Sequence, residues 1–91
     1  MEREENIAGA YFYECEPESW QCLETCVSED MQRLARIYRA GGSHRVAYFK
    51  RGIEYNWAGE VWEQAQPGSS ITATAQQAQL LASAYVAIVA T

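Results

Sequence analysis

Apolar side chains recur at three- and four-residue intervals through the last twenty-two residues of the chain, at Ile71, Ala75, Ala78, Leu81/Ala82, Tyr85 and Ile88/Val89, and no charged side chain interrupts them. That spacing predicts one buried face of a helix over residues 70–91. Ser69, Ser70 and Thr72, just after Pro67-Gly68, offer cap oxygens for its start. Rich in Ala, such a helix is narrow and lets a sheet or second helix approach closely. Without Lys or Glu even on its polar side, most of its circumference is expected to be covered, by the rest of the domain or by a second subunit.

A second pattern of the same period runs through Trp20, Leu23, Val27, Met31, Leu34 and Tyr38, and predicts a long helix from Glu18 to Ala40. Glu18 and Glu24 fall early in it and Arg33, Arg36 and Arg39 late, matching the helix dipole. Glu29 and Arg33 have the favourable i,i+4 order, and Gly41-Gly42 supplies a stop. Elsewhere the pattern alternates. Ile7 to Glu14 reads as a strand ended by Pro17, with apolar groups on both faces. Residues 44–66 read as antiparallel sheet: Arg45 to Lys50, a tight turn at Arg51-Gly52, a strand with Ile53, Tyr55 and Trp57 on one side, a turn or bulge at Ala58-Gly59, and Glu60 to Ala65. The predicted order is β-α-β-β-β-α. It corresponds to an α+β two-layer sandwich, with two helices on one face of an antiparallel sheet. Ninety-one residues make one domain, 1–91, with residues 1–6 as a flexible acidic N-terminus.

Composition narrows the class. The longest apolar run, Leu80 to Ala90, is well short of the ~20 residues of a membrane span, and the first six residues are acidic and polar, unlike a targeting peptide. Three thiols, Cys15, Cys22 and Cys26, cannot all pair within one chain, which suits a reducing compartment and a cytoplasmic protein. The net charge of −5 hides a segregation: residues 1–30 hold nine acids and one base, 31–52 six bases and no acid, 53–91 three acids and no base.

Several chemistries can be weighed on these residues. Cys15, Cys22, Cys26 and His44 include the ligand types of a Cys3His zinc site, but the C-x2-C knuckle is missing, so no metal or other cofactor is expected. His44 is the single histidine, and Ser43 beside it points to the opposite side in extended backbone. Glu54, Glu60 and Glu63 are spread over solvent-facing positions. No nucleophile–base pair, phosphate loop or dinucleotide fingerprint is present, so the chain is not expected to be an enzyme. The α-β-β-β-α order after the first strand resembles a double-stranded-RNA-binding domain, a family that contacts phosphate through lysines opening its last helix. Residues 72–79 here contain none, so that contact is not carried over. The segment Arg33, Arg36, Arg39, Arg45, Lys50 and Arg51 is the alternative phosphate-facing set, set against the net acidity.

The expected function is instead protein binding. Glu14, Glu16, Glu18 and Glu24, with Tyr11, Tyr13 and Trp20 as aromatic anchors, form the candidate surface for a basic partner. In size, acidity and lack of catalytic motifs the chain resembles small acidic proteins encoded by bacteriophages, including inhibitors of CRISPR–Cas complexes. That resemblance implies a compact α+β fold, no cofactor and an acidic face occupying a nucleic-acid groove of a larger complex. It transfers no functional residue. A structural subunit or adaptor is the other form of this reading, and the C-terminal helix is expected to serve partly as a homodimer contact.

Overall fold

The computed structural model describes residues 4–13, 16–54 and 59–88. Six strands form one mixed sheet: β1 (Glu4–Ile7), β2 (Ala10–Tyr13), β3 (Gln21–Val27), β4 (Arg33–Ala40), β5 (Ser43–Glu54) and β6 (Gly59–Thr72), followed by a single helix α1 (Ala75–Val86). The strand order is β1-β2-β6-β5-β4-β3. β3 to β6 make an antiparallel meander, and β2 joins it parallel to β6 through Tyr11 and Val61. The expected two-helix sandwich and its β-α-β-β-β-α order are therefore incorrect: the long helix over 18–40 is a hairpin, β3–β4.

Its turn explains the error. Ser28 is buried, and its hydroxyl donates to the Asp30 carboxylate (2.6 Å) while accepting from the backbone N–H groups of Gln32 (3.2 Å) and Arg33 (3.0 Å). A serine and an aspartate that satisfy local backbone donors favour a turn over a continuing helix. Met31 completes it at φ 60°. The supposed stop, Gly41-Gly42, is the two-residue turn between β4 and β5, with Gly41 at φ 64°. The expected strand over 7–14 is likewise folded in two. Ala8 and Gly9 take φ 52° and 83°, the positive angles of a hairpin turn, and Ile7 pairs with Ala10. Residues 4–6, expected in a flexible terminus, belong to β1.

β5 runs straight through Arg51-Gly52, where a turn was expected. At Gly52 the exposed Glu63 side chain of β6 folds over the open backbone, its carboxyl filling the space a Cβ would take. The expected alternation of Tyr55, Asn56 and Trp57 lies outside the described residues. β6 continues beyond Pro67-Gly68 to Thr72, absorbing them in a wide bulge: Ala47 pairs with Ser69 and Phe49 with Gln64, leaving four residues opposite Tyr48.

The sheet is curled rather than flat. Arg51 Nη1 donates both to the Ala8 carbonyl (2.8 Å) in the β1–β2 turn and to the Met31 carbonyl (3.0 Å) in the β3–β4 turn. β2 and β4 are three steps apart in the sheet, ~14 Å if it were flat. Inside the curl lie Ala10, Phe12, Leu34, Tyr38, Ala47, Phe49 and Trp62. The Phe12 ring of β2 meets Phe49 of β5 edge-on at 4.8 Å, and the Arg36 guanidinium of β4 sits 4.4 Å over Phe12.

The outer face carries Ala35, Ile37, Val46, Tyr48 and Ala65, and α1 covers it with Ala78 and Ala82. The small-residue stripe read from the sequence is thus the buried one at these two positions. The helix begins later than expected, however, capped by Thr74, whose hydroxyl accepts from Gln77 N–H at 3.2 Å. Ile71 lies in β6 and is 63% exposed. At the far end the Arg33 guanidinium donates to the Ile88 carbonyl (2.8 Å), placing a cation at the negative end of the helix dipole. The Tyr85 hydroxyl donates to the Phe49 carbonyl (2.9 Å), and burial pushes its pKa up, so it remains a donor. Among the described residues, no helix is long and apolar enough to cross a membrane.

Candidate binding edge

β3 is the outermost strand of the meander, and among the described residues it pairs with β4 alone. Ser28 N–H bonds the Arg33 carbonyl (2.9 Å), so Ser28 and Arg33 are a hydrogen-bonded pair, and the ladder alternates back from it. Cys26 and Glu24 therefore direct their backbone groups to β4, while Thr25 and Val27 direct N–H and C=O away from the sheet. Along this edge lie exposed carboxylates: Glu18 before β3, Glu24 within it, and Glu29 and Asp30 in the turn after it. Hydrogen bonds from Ser28 and Gln32 hold the Asp30 carboxyl below its ordinary pKa, so it is anionic near neutral pH. Among the described residues Arg33 is engaged by Ile88 and Arg36 by Thr25, while Arg39 stands opposite Gln21 at the start of β3, beyond the Leu23 bulge.

Beside the edge an open groove of about 430 Å³ runs between the β3–β4 turn and the end of α1, lined by Val27, Ser28, Glu29, Asp30, Val86, Ala87 and Ile88. Its walls are aliphatic and its rim is acidic. A bulge at Leu23 interrupts the ladder, since Cys22 pairs with Tyr38 and Glu24 with Ile37. Bulges restrict pairing at sheet edges, which here leaves the Glu24–Val27 half as the regular part.

Of the expected surface, Glu18 and Glu24 stand on this edge. Glu14 lies outside the described residues. Tyr11, Tyr13 and Glu16 are half-buried and already engaged within the fold. Trp20 turns inward, 5.8 Å from Tyr38, with the Arg45 guanidinium 4.7 Å over its ring. Glu29 and Asp30 were not singled out from sequence, although the Ser28-x-Asp30 turn signal was there to mark them.

The six bases do not form one patch. Arg33 and Arg39 point to the helix side of β4, and Lys50 pairs with Arg33 on that side; Arg36, Arg45 and Arg51 point inside the curl. Arg36 is buried and bonded to Thr25 Oγ1 (2.9 Å), and Arg51 is tied to Glu60, Ala8 and Met31. Arg45 stacks on Trp20 with its Nε unbonded.

The bulge also separates the thiols. Cys22 lies on the inner side with Tyr38, exposed, and Cys26 on the helix side with Ala35. Burial first, and Glu24 second, raise the Cys26 pKa, so that thiol is protonated. Cys15 lies outside the described residues, and no group of metal-ligand side chains occurs among the described ones. The Ser43 hydroxyl donates to the Ala40 carbonyl (3.2 Å), serving the β4–β5 turn. Comparison with protein-family models, curated proteins and solved structures finds no match.

Proposed function

We propose that the chain is a non-enzymatic protein-binding domain that engages a basic surface of a larger protein through the acidic β3 edge. The observation that carries this is the set Glu18, Glu24, Glu29 and Asp30, exposed beside an open strand, while Arg33 and Arg36 next to them are engaged by Ile88 and Thr25. Carboxylates so arranged steer a cationic partner and fix its orientation. An inhibitor that occupies such a surface in a nucleoprotein complex, as phage-encoded anti-CRISPR proteins do, is the sharpest form of the proposal; an adaptor subunit is the plainer form. Either acts in the cytoplasm. The division of the bases between two faces speaks against the phosphate-binding alternative, which needs them on one.

The tagged protein, used to capture partners from lysate treated with nuclease, should retain a discrete partner that is released by salt and lost with the triple reversal Glu18→Lys, Glu24→Lys, Glu29→Lys. Capture that disappears on nuclease treatment, or that survives the reversal, overturns the proposal. A second surface supports self-association: Ile71, Leu80 and Leu81, 63%, 66% and 39% exposed, line an apolar cleft on a stretch without charge. Leu80→Glu should dissociate such a dimer, and light scattering that gives about 10 kDa for the unaltered protein at high concentration removes this reading.

A further inference from the structure

Resting on the acidic-edge reading, we infer that the partner segment binds as an added strand: an extended peptide of alternating basic and aliphatic residues pairs with β3 between Glu24 and Val27. Two residues there, Thr25 and Val27, turn four backbone donors and acceptors outward, and they bond no other element among the described residues. An exposed row of this kind takes a strand through main-chain hydrogen bonds, with alternate side chains reading each face.

The chemistry of the two faces specifies the peptide. On the helix side an added strand meets the Glu24 carboxylate and then the groove of Val86 and Ile88, rimmed by Glu29 and Asp30. A lysine suits both positions, its alkyl stem on the aliphatic wall and its ammonium at the carboxylates. On the other side it meets Thr25 and Val27, whose neighbours are the buried Arg36 and Leu34. Among the described residues no unengaged cation faces this side of β3 to attract an acid, and an aliphatic residue fits. The Leu23 bulge ends the pairing on one side and the Ser28 turn ends it on the other, so the segment is short.

The probe is an acetylated, amidated octapeptide of alternating lysine and valine, with a glutamate–valine octapeptide as control. In the ¹⁵N-labelled protein, saturating lysine peptide should slow amide exchange at Thr25 and Val27 at least tenfold. Cys26 and Ser28, already bonded to β4, should change little. Thr25→Pro removes the outward N–H and should weaken binding at least tenfold. Gln79→Ala, on the exposed side of α1 and away from the edge, should bind as the unaltered protein does. Salt-dependent binding that is lost in Glu24→Lys/Glu29→Lys, without protection of Thr25 and Val27, overturns strand addition and leaves the acidic-edge reading intact. Equal binding of the glutamate peptide, or no binding at millimolar concentration, overturns the inference as well. Loss of charge dependence in the lysate experiment overturns the reading beneath it. The exchange measurement uses the unaltered chain, so a misfolded proline variant does not remove the test.

Discussion

Arg51 fastens the curl, and its replacement by alanine should show how much of the fold depends on that one side chain. It is 11% exposed, donates to the carbonyls of Ala8 (2.8 Å) and Met31 (3.0 Å), and pairs with Glu60 at 2.6 Å. The carbonyl bonds come from a charged donor, but the one to Ala8 is part-buried and the one to Met31 exposed, so losing each costs about 1–1.5 kcal/mol, the low end for such bonds. Glu60 is 50% exposed, so solvent screens the ion pair to about 0–1 kcal/mol. The sum is about 3 kcal/mol, a large share of the ~5–14 kcal/mol that a chain of this length holds. Urea unfolding of Arg51→Ala should show that loss, and the melting temperature should fall by about 12–24 °C. Lys50→Ala, on the neighbouring exposed residue, should stay within about 0.5 kcal/mol. Arg51→Lys should fall between, since one ammonium cannot reach both carbonyls and Glu60 as the guanidinium fork does. A loss under about 1 kcal/mol for Arg51→Ala refutes the reasoning: the two turns would then be held together without the bridge.

Other consequences are also measurable. Because Asp30 has a folded pKa below its unfolded one, it stabilises the fold above its unfolded pKa, and that contribution disappears as pH falls through the folded value. Urea midpoints of the unaltered protein and Asp30→Asn should therefore differ at pH 6 and converge toward pH 2; a constant gap rejects the assignment. Met31 holds φ 60° with its side chain 51% exposed, so Met31→Gly should raise stability by about 1 kcal/mol in the same assay, and a decrease contradicts the backbone argument. Under iodoacetamide at pH 7.5, mass spectrometry should find exposed Cys22 alkylated well before Cys26, whose thiol burial keeps protonated; the reverse order would count against the placement of β3.

The sequence made some of this legible and disguised the rest. The Ala78–Ala82–Tyr85 stripe was readable because its period is a helix's, although the cap is Thr74 and not Ser69, Ser70 or Thr72. Arg45 to Lys50 was readable as a strand. The β3–β4 hairpin was not, for a geometric reason: Val27 and Leu34 are cross-strand partners seven residues apart, and Tyr38 follows Leu34 at an even strand interval. Those separations, seven and four, coincide with helical turns. Leu23 and Met31, which seemed to complete the stripe, are an exposed bulge residue and an exposed turn residue. Alternation could not correct the reading, because β4 is covered on both faces and buries Arg36 where an apolar residue is expected. The acidic residues of β3 were visible as charges, but that β3 is an edge follows from strand order. Strand order is set by the pairing of Tyr11 with Val61, which no local pattern records.

That parallel pairing has a consequence for the order in which the molecule is made. The β1–β2 hairpin emerges before the other strands, yet its sheet neighbour among the described residues, β6, lies some fifty residues downstream. At ~5–20 residues per second the hairpin waits on the order of 3–10 s for its partner. Until β6 arrives no strand holds Phe12 against Phe49 and Arg36, so an amphipathic two-strand ribbon, marginal on its own, is presented to whatever is nearby. The meander from β3 to β6, built of neighbours in sequence, can close as fast as it is synthesised. Nascent chains halted before residue 59 should accordingly leave Phe12 open to solvent, and the N-terminal ribbon is where a holding chaperone would find its target.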